Sequence, residues 1–84
     1  MRLTFTDQAW DEYLCWFEKD RRIANRIHAL LEDTLRSPYA GMGKPEPLKE
    51  ALSGHWSRRI TEEHRLVYHV EGDDLVVVQL RFHY

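Results

Sequence analysis

The apolar residues of this chain change their spacing once, and this change constrains the fold more than any other feature of the sequence. Between residues 7 and 36 they recur at every third or fourth position, which is typical of amphipathic helices. From Trp56 onward they tend to alternate with polar residues, which is typical of strands. A chain of 84 residues has room for one compact domain. We therefore expect a single domain over residues 1–84, with helices packed on a sheet.

Two helices are predicted in the first half. Thr6 is placed to cap the first helix, which should end near Lys19. Asp20 is placed to cap the second, which should end at Ser37 and Pro38. Because the connection is nearly absent, the helices should form an antiparallel hairpin that covers a sheet. The apolar side chains assigned to this packing are Trp10, Tyr13, Leu14, Trp16 and Phe17 in the first helix and Ile23, Ile27, Leu30, Leu31 and Leu35 in the second.

The remaining apolar segments predict a sheet that is mostly antiparallel. The opening MRLTF should be a short strand, and three later strands should form a meander with turns at residues 62–63 and 72–74. The expected fold class is α+β, with the element order β-α-α-β-β-β. In the last strand, the even-numbered residues from Val76 to Tyr84 should form one face, and Gln79, Arg81 and His83 the other.

The first turn of the meander decides which polar side chains meet. If residues 62–64 form a three-residue turn, Thr61 pairs with Arg65, and both share a face with Arg59. A shift of one residue would separate them. The helices need the apolar face of the sheet, so the polar face should remain open to solvent and partners.

Charge and cysteine content limit the classes of function. The formal net charge is −2, so any site for RNA must come from local clustering of cations. The single Cys15 cannot form an intramolecular disulfide, which fits a reducing compartment. The N-terminal residues contain no sustained apolar run, so neither a signal peptide nor a membrane span is expected. These features predict a soluble cytoplasmic protein.

Glu46 is the first candidate for chemistry. It lies between Pro45 and Pro47 in the irregular stretch 39–55, so its backbone is restricted on both sides. Considered alone it could be a solvated surface carboxylate, and the nearby cations could equally belong to a salt-bridged surface. These cations are Lys44, Lys49, Arg58, Arg59 and Arg65.

His83 is the second candidate, because histidine titrates nearest to neutrality and this one falls on the polar side of the last strand. Cleavage of RNA needs a base for the ribose 2′-hydroxyl, a cation for the phosphate and an acid for the departing 5′-oxygen. Glu46, Arg65 and His83 supply these groups without a metal or other cofactor. Lys49, Arg59 and Tyr84 are auxiliary candidates, and Lys44, Arg58 and Arg81 are further candidates for RNA contact.

Three segments at their spacing resemble the YoeB/Txe family of toxins: KPEPLK at 44–49, LSGHWSRRITEEHRLVY at 52–68 and RFHY at 81–84. The resemblance implies a RelE-like fold and an endoribonuclease that cuts messenger RNA in the A site of the 70S ribosome. It also implies an antitoxin partner of the YefM/Axe type, and a homodimer is a further option. Departures include Phe82, where a tyrosine is familiar, and Ala24-Asn25, where lysine is commoner.

The resemblance also assigns roles to residues. The matching positions make Glu46 the general base, His83 the general acid and Arg65 the stabiliser of the transition state. Two alternatives remain at the level of sequence: a noncatalytic module that binds RNA or protein, and a ribonuclease that needs no ribosome.

Overall fold

The computed structural model describes residues 1–82 as a five-stranded sheet with two helices on one face. The helices are α1 (Asp7–Lys19) and α2 (Arg21–Arg36). The strands are β1 (Arg2–Phe5), β2 (Glu46–Pro47), β3 (Trp56–Arg59), β4 (Arg65–Glu71) and β5 (Asp74–Gln79), and a turn of 3-10 helix covers Glu50–Leu52.

The strands lie in the order β1-β5-β4-β3-β2. β1 runs parallel to β5, and the other neighbouring pairs are antiparallel. The α+β class and the predicted succession of helices and meander strands are confirmed. The stretch 39–55 contains one element that the sequence did not predict. This element is the two-residue strand β2, which pairs with β3.

Side-chain caps fix the helix boundaries where the sequence placed them. The Thr6 hydroxyl accepts a hydrogen bond from the backbone N–H of Ala9 at 3.2 Å. The Asp20 carboxylate accepts from the N–H groups of Arg22 and Ile23 at 3.1 and 3.3 Å. Asp20 also terminates α1, so a single residue connects the two helices. Such caps each contribute about 1 kcal/mol.

The core lies between the helices and the two central strands. Its buried residues are Ala9 from α1, Ile27, Leu30 and Leu31 from α2, Ile60, and Leu66, Tyr68, Leu75, Val77 and Leu80 from the sheet side. Tyr13, Trp16, Ile23 and Leu35 pack against this cluster. The assignment of α2 and of Trp16 to core packing is confirmed.

For three residues of α1 the predicted core packing is wrong. Trp10, Leu14 and Phe17 are 48%, 40% and 39% exposed. The single fully buried residue among those described in α1 is Ala9, because the helix contacts the sheet mainly through the neighbouring face. We call Trp10, Leu14 and Phe17 the outer face of α1. Within residues 1–82, neither helix has the length and apolar character that a membrane-spanning segment requires.

The predicted faces of the last strand are confirmed for Gln79 and Leu80 and wrong for the residues before them. Leu75 and Val77 belong to the core cluster, whereas the prediction placed Val76 and Val78 on the face of Leu80. The register shifts by one residue between Val67 and Tyr68, whose partners are Gln79 and Val77. This bulge leaves Val78 without a partner opposite, and an extra residue in one strand reverses the alternation beyond it.

Candidate active site

Glu46 is the first residue of β2, where its side chain is exposed. Pro45 and Pro47 restrict the backbone on both sides of it. The sheet restrains the position further, because Glu46 lies opposite Ser57 of β3. The carboxylate is therefore presented from a stiff edge strand.

A row of side chains crosses the sheet from Glu46. Ser57 lies opposite Val67, and Val67 lies opposite Gln79. Directly opposed residues of antiparallel strands share a face, and this face is the one away from the core. Ser57 and Val67 are each 1% exposed. They form the buried floor of a surface that has Glu46 at one end.

The next row holds two cations, because Arg59 lies directly opposite Arg65. Alternate residues of a strand point the same way, so both arginines share the face of Glu46. With about 4.8 Å between strands and about 6.7 Å between alternate residues, the Cα atoms of Glu46 and Arg65 lie about 12 Å apart. Glu46 and Arg65 therefore lie on one face of the sheet, two strands apart.

The predicted pairing of Thr61 with Arg65 is wrong, although the shared face of Arg59 and Arg65 is confirmed. Thr61 lies inside a longer turn, which spans residues 60–64. Its hydroxyl accepts hydrogen bonds from the N–H groups of Glu63 and His64 at 3.2 and 3.1 Å. These bonds hold Thr61 in the turn, which moves the pairing to Arg59.

The Arg65 guanidinium is held firmly by this turn. Its Nη1 donates to the carbonyl oxygens of Thr61, Glu62 and His64 at 2.8, 3.0 and 3.0 Å. The residue is 9% exposed. A cation fixed in this way needs little reorganisation to meet a developing negative charge.

A groove of about 350 Å³ runs beside Glu46 and is lined by residues 46–50 and Leu52. Lys49 therefore faces the same space as Glu46, and Lys49 is exposed. Lys44 is also exposed, with a left-handed φ of 52°. Together with the exposed Arg59, these lysines place positive charge at the edge of the sheet where Glu46 lies.

The remaining predictions concern the end of the sequence. His83 and Tyr84 lie outside the described residues. The described backbone reaches Phe82, whose carbonyl oxygen accepts the N–H of Arg65 at 3.1 Å. Arg81 places its guanidinium carbon 5.6 Å from the Trp16 ring centre and 5.0 Å from that of Phe82. It is therefore held against aromatic rings and does not join the row that starts at Glu46.

The predicted role of Arg58 in RNA contact is wrong, because its side chain is not accessible in this structure. Arg58 has a structural role instead. It is fully buried, because it points from β3 to the helix side of the sheet, opposite to Arg59. Its guanidinium forms an ion pair with Asp33 of α2 at 2.7 Å. The same group donates to the carbonyl oxygens of Ser37, Ala40 and Met42 at 2.6, 2.9 and 3.1 Å.

Asp33 and Arg58 together anchor the loop that leads to Glu46. Its carboxylate accepts the N–H of Met42 at 2.9 Å and lies so close to Gly41 that a Cβ there would be 2.1 Å from Oδ2. Gly41 also has a φ of 117°, which side chains disfavour. The Met42 N–H and the Arg58 guanidinium lower the pKa of Asp33 from 3.8 to about 2.

This shift predicts how stability depends on pH. A carboxyl with a depressed folded-state pKa stabilises the fold above its unfolded-state pKa, and the contribution disappears as pH falls through the folded value. We expect the urea midpoint to fall between about pH 4 and about pH 2, with part of this fall due to Asp33. Asp33→Asn should be less stable at pH 7 and lose less on acidification. Equal acid slopes for the two proteins would contradict the assignment.

Within residues 1–82, no group of three His, Cys, Asp or Glu side chains is arranged to hold a metal ion. The charged side chains that line the groove are those of Glu46, Lys49 and Glu50.

The family model for the YoeB-like toxin of the bacterial type II toxin-antitoxin system matches residues 5–84. The chain belongs to this family. The toxin YoeB of Escherichia coli strain K12 is 56% identical over 84 residues, which is 100% of both chains. The three segments that resemble YoeB-like toxins therefore belong to a similarity that spans the whole chain. The predicted family is confirmed.

Solved structures of YoeB-like toxins share the fold. A YoeB/ParE toxin from Agrobacterium tumefaciens has a TM-score of 0.97 at 50% identity, with 100% of each chain covered. From Staphylococcus aureus, a YoeB dimer and a YoeB-YefM complex have TM-scores of 0.93 and 0.92 at 38% and 36% identity, over 100% of this chain and 98% of theirs.

The structural roles of two residues, Asp33 and His64, were not predicted from the sequence. Asp33 sits in the last turn of α2, where the helix dipole disfavours negative charge. A carboxylate at this unfavourable position indicates a nearby cation, which here is Arg58. His64 was assigned to a turn, but its buried imidazole accepts the N–H of Phe82. No local pattern signals a contact over 18 residues.

Proposed function

We propose that this YoeB-like toxin is an endoribonuclease that cuts messenger RNA in the ribosomal A site and so inhibits translation. The observation that carries the proposal is the position of Glu46 on the same sheet face as Arg59 and Arg65. A base and cations within reach of one phosphodiester are the groups that metal-independent RNA cleavage requires.

In the proposed reaction, the Glu46 carboxylate removes the proton of a ribose 2′-hydroxyl. The 2′-oxygen then attacks the adjacent phosphorus while the bond to the 5′-oxygen breaks, which leaves a 2′,3′-cyclic phosphate and a 5′-hydroxyl. Arg65 stabilises the charge that builds on the phosphate oxygens. His83 protonates the 5′-oxygen, and Tyr84 assists, both assigned from the family resemblance. Lys44, Lys49 and Arg59 bind flanking phosphates.

The charge of the chain supports a requirement for the ribosome. Affinity for free RNA depends mainly on cations that neutralise phosphates, and this chain has a formal net charge of −2. The few cations near Glu46 can position a phosphate but supply little attraction at a distance. The ribosome would then present the messenger RNA and hold it in a geometry that permits attack by the 2′-oxygen.

The direct test uses ribosomes that translate a defined message. It is run with and without a chelator that removes transition metals selectively and leaves the ribosomes intact. Primer extension should reveal a cut in the A-site codon under both conditions, with a 2′,3′-cyclic phosphate on the upstream fragment. Growth arrest without cleavage would favour the noncatalytic binding module. Equally fast cutting of naked RNA would favour the ribosome-independent nuclease.

An antitoxin of the YefM type is the proposed partner, as in the S. aureus complex. The exposed Lys44, Lys49 and Arg59 suit an acidic segment that covers the groove beside Glu46. Such a segment would exclude RNA from the same surface. The proposed location is the cytoplasm, where the ribosomes are.

Self-association through the outer face of α1 is the second proposed assembly. Trp10 stacks on Tyr13 at 5.3 Å between ring centres yet remains 48% exposed, with Leu14 and Phe17 beside it. A second copy is the proposed occupant, because the S. aureus relative forms a dimer. A contiguous exposed apolar face of this kind is typical of an interface.

Trp10→Ser should weaken the dimer about thirtyfold or more, which corresponds to the loss of an interface hot spot of about 2 kcal/mol. Sedimentation equilibrium would measure the dissociation constant. Tyr39→Ser is the matched control, since Tyr39 is 54% exposed but lies outside the outer face of α1. Equal dissociation constants for the two variants would place the interface elsewhere.

A further inference from the structure

The backbone of Phe82 is held at both of its polar atoms by two consecutive residues. The Phe82 N–H donates to Nδ1 of His64 at 2.8 Å. The Phe82 carbonyl oxygen accepts the N–H of Arg65 at 3.1 Å and a bond from Nε2 of Gln79 at 3.1 Å. The residue that carries the transition-state cation is therefore linked directly to the segment that carries His83.

The His64 ring is built into the fold and is not a loose turn side chain. It is 8% exposed, and the Trp16 ring meets it edge to face at 4.7 Å between centres. Trp16 also donates from Nε1 to the carbonyl oxygen of Leu80 at 2.8 Å. Since Nδ1 accepts a bond, the proton of the neutral imidazole resides on Nε2, which lies 3.6 Å from Glu63 Oε1.

The backbone at Phe82 needs such support. Its φ is 59°, in the left-handed region that residues with a side chain rarely adopt. Phe82 is 50% exposed, so core packing does little to enforce this conformation. Hydrogen bonds hold both its N–H and its carbonyl oxygen, and its ring centre lies 5.1 Å from that of His64.

We propose that His64 is a positioning residue for RNA cleavage, whose Nδ1 fixes the Phe82 backbone beside Arg65, at the residue that precedes His83 in the sequence. This inference rests on the proposed function, because it gives His83 the role of general acid. His64 touches neither substrate nor reacting atoms in this scheme. It acts through the backbone, and a displacement of about 1 Å at the reacting groups can cost about 10²-fold in rate.

Three variants separate the acceptor from the ring. His64→Asn places its side-chain oxygen where Nδ1 lies, His64→Gln places it nearer the position of Nε2, and His64→Phe keeps a ring without an acceptor. We expect the Gln and Phe variants to lower kcat on ribosomes about 10²-fold with KM little changed. The Asn variant should recover most of this loss. Three equal losses that follow the unfolded fraction of each variant would overturn the proposal.

A second readout does not depend on cleavage. In the Glu46→Gln background, the Phe82 amide proton should exchange about tenfold faster with His64→Phe, the factor for losing one hydrogen bond of about 1.4 kcal/mol. Unchanged exchange would overturn the proposal, and so would faster exchange with unchanged kcat in the parent. If the wild-type chain cuts no RNA on ribosomes, the proposed function fails, while the exchange data still decide whether His64 holds Phe82.

Discussion

Replacing Glu46 with glutamine is expected to lower cleavage of ribosome-bound messenger RNA by about 10² to 10⁴-fold, the contribution typical of one positioned base. Glutamine has nearly the same shape and keeps an oxygen acceptor, but it cannot take the 2′-hydroxyl proton. Because Glu46 is exposed on a two-residue edge strand, the fold should not depend on its charge. Single-turnover primer extension would give the rate, and circular dichroism the melting temperature.

Glu71→Gln is the matched control. Glu71 is exposed and belongs to the same face of β4 as Arg65, but it lies at the far end of that strand. It should retain the wild-type rate. If Glu46→Gln cleaves as fast as Glu71→Gln, Glu46 is not the base. If it loses its cooperative unfolding transition, the residue belongs to the structure instead.

Replacing Arg58 with methionine is expected to lower the free energy of unfolding by about 3–5 kcal/mol, the cost of breaking a buried ion pair from one side. Methionine fills part of the space but donates no hydrogen bond. It would leave the Asp33 carboxylate and the carbonyl oxygens of Ser37, Ala40 and Met42 without this partner. For a domain of this size the loss is a large part of the total stability. Urea unfolding followed by circular dichroism measures it.

Arg59→Met is the control for stability, because Arg59 is adjacent, exposed and on the other face of β3. A surface change of this kind usually stays within about 0.5 kcal/mol. Asp33→Asn combined with Arg58→Met should cost less than the sum of the two single changes, since the residues contact each other. Strict additivity, or equal stability of the Arg58 and Arg59 variants, would contradict the anchor.

Local rules predicted the elements of this fold well, because the signals for them are local. Thr6 and Asp20 cap helices through contacts within three residues, and the α2 stripe is set by helical spacing. The outer face of α1 was misassigned because spacing shows that side chains share a face but not that this face is covered. The bulge at Val78 was missed because it depends on the pairing of two strands.

The sequence allowed the types of residue at the candidate site to be predicted. It predicted their spatial arrangement less well. The shared face of Arg59 and Arg65 followed from strand alternation once the hairpin was recognised. The adjacent Arg58 and Arg59 look equivalent in the sequence, yet the register sends one to the core and one to the open face. The family resemblance supplied the roles of Glu46, Arg65 and His83, which spacing alone left undecided.

The parallel pairing of β1 with β5 has a consequence for how the chain matures. Residues 2–5 have residues 74–77 as their register partners in the sheet, and β5 is the single neighbour of β1 among the described strands. β1 can therefore enter the sheet only after residues 74–77 have been synthesised. Contacts between segments so far apart in a chain form slowly, so the addition of β1 should be a late step of folding.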